Sequence, residues 1–304
     1  MCFTHRKSLF VLGRNKMNSR PFRQMLKARQ EYIGSLVCVG LDPLIERMPE
    51  EFAKYTPDLF WSVSLWMRSV IEQTAPFACM YKLQSAHWES IPDGVKLLRA
   101  IISHIHNVYP KIPVFLDCKR GDIGRTQERY RVAHFDLAGA DGINYNGYMG
   151  VGDTLEGLID RKYPGRALVG LGRTSNSSAW EIQDRVGVDG LMLWEFMVKC
   201  IFASSSELSV LENAGIVMGV AHADPKDSTK IYSWHLSRAR EIVGDKMWFL
   251  IPGVGAQGGF VKETISTAYV GAGSLAINSS SGIIFSDNPA VSAESLRDEI
   301  RKYV

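Results

Sequence analysis

Cysteine is scarce in this chain and shows no pairing. The five cysteines, Cys2, Cys38, Cys79, Cys118 and Cys200, include no C-x-x-C pair. That spacing removes a disulfide framework and the common zinc patterns. Cys38 and Cys79 fall inside apolar strand-like runs and Cys118 just past the end of one, so they read as small buried thiols in a reducing, cytoplasmic compartment. Long apolar runs are also lacking, and none reaches the length that spans a bilayer. Charge of one sign is not in excess. The net charge is +3, from 35 basic and 32 acidic residues, without the concentrated basic face of a nucleic-acid binder. Acidic residues are missing from Met1 to Lys16, which carries His5, Arg6, Lys7, Arg14 and Lys16. This stretch has no secretory apolar core. Residues 1–18 are expected to be a disordered extension ahead of a single domain over 19–304; a targeting segment and a start at Met17 are the alternatives.

No linker or low-complexity tract divides the rest, and 304 residues with 46% hydrophobic and 22% charged side chains suit one large α/β domain. Short apolar runs recur at wide spacing: Leu36–Leu41, Phe77–Leu83, Val114–Leu116, Gly142–Tyr145, Ala167–Leu171, Gly215–Val220, Trp248–Ile251 and Leu275–Ile277. Each is followed by polar or glycine-rich residues. Helical periodicity fills the gaps over Phe60–Thr74, Gly94–Val108, Thr126–Leu137, Leu191–Leu211, Thr229–Val243 and Val261–Val270, and Asn288-Pro289 opens a last helix that ends near Val304. Eight strands alternating with helices predict a (β/α)₈ TIM barrel. A doubly wound open sheet is the alternative, but it requires a glycine-rich phosphate turn after the first strand, and that strand ends instead in Gly40-Leu41-Asp42-Pro43.

Chemistry concentrates in Asp117-Cys118-Lys119-Arg120-Gly121-Asp122-Ile123. Alternation along a strand sends Asp117 and Lys119 to one face and Cys118 to the other. Two carboxylates and an ammonium at the carboxyl end of a buried strand are costly for stability unless paired, and in a barrel that end is where active sites form. A salt-bridged strand end is the bland alternative. His104 and His106, two apart on a helix, point apart and read as surface histidines. His222 and Asp224 read as an ordinary loop, Arg173 as either a rim closure or a substrate contact, and Trp88 and Trp180 as packing groups.

Five segments carry a family resemblance: Cys38 to Pro43, Tyr81 to Ala86, Asp117 to Thr126, Arg173 to Asn176, and Ile251 to Gly259. Together, in this order, they resemble the orotidine 5′-phosphate decarboxylases, in particular the bacterial-type branch that also occurs in some protozoa. The resemblance runs from about Arg20 to the C-terminus. It implies a TIM barrel, a homodimer with shared active sites, no cofactor and no metal. It implies a nucleotide substrate, no nucleic-acid or membrane partner, and conversion of orotidine 5′-phosphate to UMP in pyrimidine biosynthesis. By motif, Lys119 is expected to stabilise and protonate C6. Asp117 is expected to face the departing carboxylate, and Lys82 to hold Asp117 and the ribose. Asp122 of the partner subunit is expected to complete an alternating Lys-Asp array. Ile123 and Thr126, also from the partner, are expected to line the carboxylate pocket and contact ribose. Asp42 is expected at the ribose, Ser175 at the pyrimidine edge, and Gln257 with Gly258 near base and phosphate.

The sequence departs from the family at Ser281, where an arginine that grips the phosphate is usual, and at Asn146-Gly147-Tyr148 in place of Asn-Pro-Tyr. Three explanations compete for Ser281: backbone N–H groups near Gly255, Gly258 and Gly282 hold the phosphate, the substrate is an orotidine-like nucleoside without one, or the serine disables an ordinary enzyme. Two other classes stay open: a magnesium-dependent sugar-phosphate enzyme, disfavoured by Lys82 at the metal-holding position, and a non-catalytic nucleotide-binding relative. If Ser281 is disabling, Ser281→Arg raises kcat/KM for orotidine 5′-phosphate by roughly tenfold or more, the equivalent of one charged hydrogen bond; steady-state kinetics check this, and no gain removes the explanation.

Overall fold

The computed structural model describes residues 20–223, 231–253 and 260–304. Eight parallel strands follow one another around a closed barrel: β1 (Val37–Gly40), β2 (Met80–Gln84), β3 (Val114–Arg120), β4 (Gly142–Tyr145), β5 (Ala167–Arg173), β6 (Gly215–Met218), β7 (Trp248–Ile251) and β8 (Leu275–Ser279). Closure comes from β1 pairing with β8 at Val37–Ile277 and Cys38–Asn278, which eliminates the open-sheet alternative. The strands are buried on both faces, which is why they read as continuous apolar runs instead of an alternation. The expected strands are all present. β3 and β5 extend further than their apolar runs because the backbone ladder continues past the last apolar residue to the rim.

The helices that wrap the barrel include α1 (Phe22–Ile33), α2 (Leu59–Thr74), α3 (Gly94–Val108), α4 (Gly124–Arg131), α5 (Val151–Glu156), α6 (Leu193–Glu207), α7 (Trp234–Val243), α8 (Val261–Ala268), α9 (Ser281–Ile284) and α10 (Pro289–Arg301). The helix expected over Thr126–Leu137 divides into α4 and a π-helical turn at Val132–Leu137. That expected at Leu191–Leu211 is confined to α6, since Leu208 leaves the helical geometry. Thr229 and Lys230, expected in α7, lie outside the described residues, as does the 1–18 extension. Asn288 caps α10 by accepting the Val291 N–H at 3.1 Å, with Pro289 in the first turn.

Two apolar cores result. One lies between the barrel and its helices. The other fills the barrel interior with inward-facing Met80, Phe115, Val169, Val217, Trp248 and Ala276. Helix α1, which the periodicity reading passed over despite Phe22, Leu26 and Ile33 at helical spacing, closes the amino-terminal end of this interior. Its Phe22 stacks on Trp248 at 5.1 Å and meets Phe115 edge-on at 6.2 Å. The lower barrel is therefore filled, and polar inward positions are left to the carboxyl ends of the strands.

The amino-terminal end is pinned by Asp141, a fully buried carboxylate. It accepts from Arg20 Nε at 2.7 Å, Arg20 Nη2 at 3.0 Å, the Val114 N–H at 2.9 Å and Arg166 at 3.3 Å, and pairs with His106 at 3.0 Å. His106 is thus a partner of a buried acid, which corrects its reading as a surface histidine. Burial works to raise the Asp141 carboxyl, and His106 and Arg20 outweigh it and hold it well below the usual range. Asp141→Ala leaves the Arg20 and Arg166 guanidiniums uncompensated, and is expected to cost about 3–5 kcal/mol in urea unfolding.

Candidate active site

Inward-facing side chains alternate up each strand, so those above the apolar layer form one cluster at the carboxyl end. Lys82 lies mid-way along β2, Asp117 mid-way along β3 with Lys119 next to its end, Asn144 sits on β4, and Asp42 follows β1. Lys82 Nζ lies 3.1 Å from Asp42 Oδ2 and 3.8 Å from Asp117 Oδ2. Lys119 Nζ lies 2.6 Å from Asp117 Oδ1. The result is an alternating row, Asp42, Lys82, Asp117, Lys119. Its first three members are nearly buried, while the Lys119 side chain is 44% exposed and opens the row to a ligand. Asp42 also accepts the Gln84 N–H at 2.9 Å, which ties the β1 end to β2.

Burial works to discharge Lys82, but Asp42 and Asp117 outweigh it and hold the ammonium above the ordinary lysine value. Burial likewise works to raise Asp117, and Lys82 and Lys119 outweigh it, holding the carboxyl below the usual range. Each charge is kept by neighbours of opposite sign. Burial pushes the Cys118 thiol up to about 12, so it is no nucleophile.

The backbone at Lys119 is left-handed, with φ +46°, an uncommon state for a side-chain-bearing residue. The Asn144 side chain spans this irregularity. It accepts N–H bonds from Cys118 at 2.8 Å and Lys119 at 2.7 Å, and donates to Asp117 Oδ1 at 2.6 Å. Asn144 was not among the expected site residues. The signal that could have found it is an asparagine interrupting an apolar strand.

Beyond Lys119 the chain is fastened by Arg120, which donates to Glu89 at 2.7 Å and to His134 Nε2 at 3.1 Å and lies over the Tyr130 ring. Burial and Arg120 push His134 down to about 4, leaving it neutral and able to accept. Gly121 comes next, where a Cβ would stand 2.9 Å from the Asn146 carbonyl.

The expected site residues do not all gather in one subunit. Asp122 accepts only the neighbouring Ile123 N–H, at 2.8 Å, and makes no ion pair among the described residues. Ile123 and Thr126 are exposed on the same loop and the first turn of α4. Ser175 lies just past β5 and lines a cavity of about 680 Å³ with Arg173, His222 and His235. Arg173 pairs with Asp184 through two bonds, at 2.9 and 2.8 Å, while lining that same cavity. His222 begins a short hairpin with Ile231–Tyr232. Ser281 opens α9 beyond β8. Gln257, Gly258 and Asp224 lie outside the described residues. Trp88 is buried and donates to the Leu41 carbonyl at 3.0 Å, as a packing group should. Trp180 is 58% exposed, which corrects its reading as packing; it stands on the β5 loop, outside the core. A wider groove of about 1110 Å³, lined by Arg20, Arg29, Arg99 and His106, is at the opposite end of the barrel, away from the charged row.

Lys82→Met, close in volume, leaves Asp42 and Asp117 without their shared cation. Their repulsion raises a folded-state carboxyl pKa above its unfolded value, so the folded form takes up a proton more readily. The variant's thermal stability should therefore rise as pH falls from about 8 to about 5, a gain absent in the wild type; melting curves across that range check it.

Known proteins match this chain in sequence and fold. The family model for orotidine 5′-phosphate decarboxylase / HUMPS matches residues 35–296. An orotidine 5′-phosphate decarboxylase of Cupriavidus necator is 33% identical over 265 residues, 87% of this chain and 89% of that protein. One of Janthinobacterium is 31% identical over 291 residues, 93% of this chain and 99% of that protein. The solved structure of Leishmania donovani OMP decarboxylase matches with a TM-score of 0.73 at 28% identity, over 93% of this chain and 98% of that one. Over residues 35–296, from just ahead of β1 into α10, the chain belongs to the orotidine 5′-phosphate decarboxylase / HUMPS family.

Proposed function

We propose that the enzyme removes CO₂ from the C6 carboxylate of orotidine 5′-phosphate to give UMP, with Lys119 supplying the proton. The observation that carries this reading is the row Asp42, Lys82, Asp117, Lys119, with the Lys119 ammonium 2.6 Å from Asp117 and facing open space. The C6–carboxylate bond breaks, its electron pair stays on C6, CO₂ leaves, and a proton from Lys119 Nζ fills the C6 valence. Solvent then reprotonates the amine. An ammonium fixed beside C6 attracts more strongly as negative charge develops there, which is differential stabilisation of the transition state. Asp117 faces the substrate carboxylate and holds Lys119 in place; the ion pairs it makes keep it charged. Asp42 and Lys82 contact ribose, Ser175 the pyrimidine edge, and Gln257 with Gly258 the base and phosphate.

A homodimer completes the site. Asp122 lacks a cation in its own subunit among the described residues; apolar Ile123 beside it is exposed, as are Tyr148 and Met149 in the turn that follows β4. Such exposed apolar side chains and an unpaired carboxylate fit a subunit interface. The buried thiols of Cys38, Cys79 and Cys118 fit a reducing compartment, the cytoplasm.

Ser281 favours one second reading, a nucleoside substrate without the phosphate, because a serine cannot replace a guanidinium at a dianion.

Loss of ultraviolet absorbance on adding orotidine 5′-phosphate, run beside orotidine, tests both. Turnover of the phosphate ester, lost by at least about a thousandfold in Lys119→Ala, is the expected result. Preference for orotidine would establish the second reading, and UMP binding without CO₂ release would overturn catalysis. Mixing Lys119→Ala with Asp122→Ala, each inactive alone, should restore about a quarter of wild-type activity through hybrid dimers; no restoration would refute the shared site.

A further inference from the structure

Three residues of β3 face one residue of β4. The register runs Phe115–Gly142 and Leu116–Ile143 and resumes at Arg120–Tyr145, so Asp117, Cys118 and Lys119 stand opposite Asn144 alone. Surplus residues in a ladder leave backbone N–H groups without partners, and buried ones are costly. The Asn144 amide replaces the missing strand. Its Oδ1 takes both stranded N–H groups, of Cys118 and Lys119, and its Nδ2 holds Asp117 Oδ1, the same oxygen that receives Lys119 Nζ. Asn144 is 1% exposed, so the arrangement is enclosed. The other side-chain-bearing residues with positive φ among the described residues, Asp93 and Ser209, lie outside the strands. Lys119 alone carries a left-handed backbone inside the barrel wall, a state that persists only where its surroundings over-determine it.

We infer that Asn144 is the positioning residue of this site. It holds Lys119 in its left-handed turn and, through the same amide, aims the Asp117 carboxylate. The inference rests on the reading of Lys119 and Asp117 given above. No other uncharged side chain of similar size does both: leucine does neither, and serine or threonine lacks the reach from β4. Aspartate accepts the two N–H bonds but presents a carboxylate where Asp117 needs a donor. The charged groups facing Asp117 are Lys82 from β2 and Lys119 on its own strand, with Asp42 on the β1 side, beyond Lys82. The buried thiols of Cys38 on β1 and Cys118 on β3 are neutral, held up by burial, and β4 contributes the neutral amide.

The test compares kcat, KM and the pH profile of kcat/KM on orotidine 5′-phosphate for the wild type, Asn144→Ala and Asn144→Asp, with thermal melting as the check on folding. Both variants should lose roughly ten- to hundredfold in kcat, the equivalent of a charged hydrogen bond, with KM changed by less than about threefold. In Asn144→Asp the acid limb should move to higher pH by about one unit, because Asp117 must ionise beside another carboxylate. A purely structural asparagine would lower the melting temperature and leave that limb in place. A folded variant with kcat near the wild-type value, or an unmoved limb in Asn144→Asp, overturns the inference. If Asn144→Ala does not fold, the isosteric Asn144→Asp decides alone. An inactive wild type would instead overturn the reading of the site, and this inference with it.

Discussion

One carboxylate, Asp117, holds the site together. Lys119 and the Asn144 amide meet its Oδ1 at 2.6 Å each, and Lys82 approaches its Oδ2 at 3.8 Å. A buried carboxylate is tolerated only when its lone pairs are met, and here each contact also fixes a group that the chemistry needs. Neutralising Asp117 would loosen the ammonium proposed to protonate C6 and remove one of the two carboxylate charges, with that of Asp42, that keep Lys82 protonated. The row therefore acts as a unit, in which losses are far from additive.

The barrel makes such a unit possible by separating two jobs. Its amino-terminal end is filled and fastened by Phe22, Trp248, Phe115 and the Asp141 ion cluster. Its carboxyl end is left for polar side chains. Strand alternation then does the sorting: Phe115 and Asp117 lie two residues apart on one inward file, as do Met80 and Lys82, so one file passes from apolar filling to catalytic charge within a single step. The Arg120 clamp on Glu89 and His134 extends this order outward, to the loop that carries Asp122.

Much of this was legible in the sequence, for a physical reason. Lys82 interrupts the apolar run Phe77–Leu83, Asp117 and Lys119 follow the run Val114–Leu116, and a charge on a buried strand has few structural uses. Asn144 was visible only as an asparagine interrupting an apolar strand; its role depends on the three-to-one register between β3 and β4, which no local pattern encodes. His106 was misread for a similar reason: its helical position says which way it points, and only the fold brings Asp141 to meet it. Trp180 was assigned to packing by residue type, yet its loop leaves it exposed. Helix α1 stands apart, since its spacing was visible; what was hidden was that it seals a barrel.

The left-handed backbone at Lys119 carries an evolutionary consequence. Glycine is the residue that adopts this conformation without a steric cost, so a chain optimised for durability alone would put one there. Lysine stands in its place, and the proposed reaction needs an ammonium at that spot. The strand end is therefore a point where foldability and turnover pull apart, and the amide of a neighbouring strand is what reconciles them.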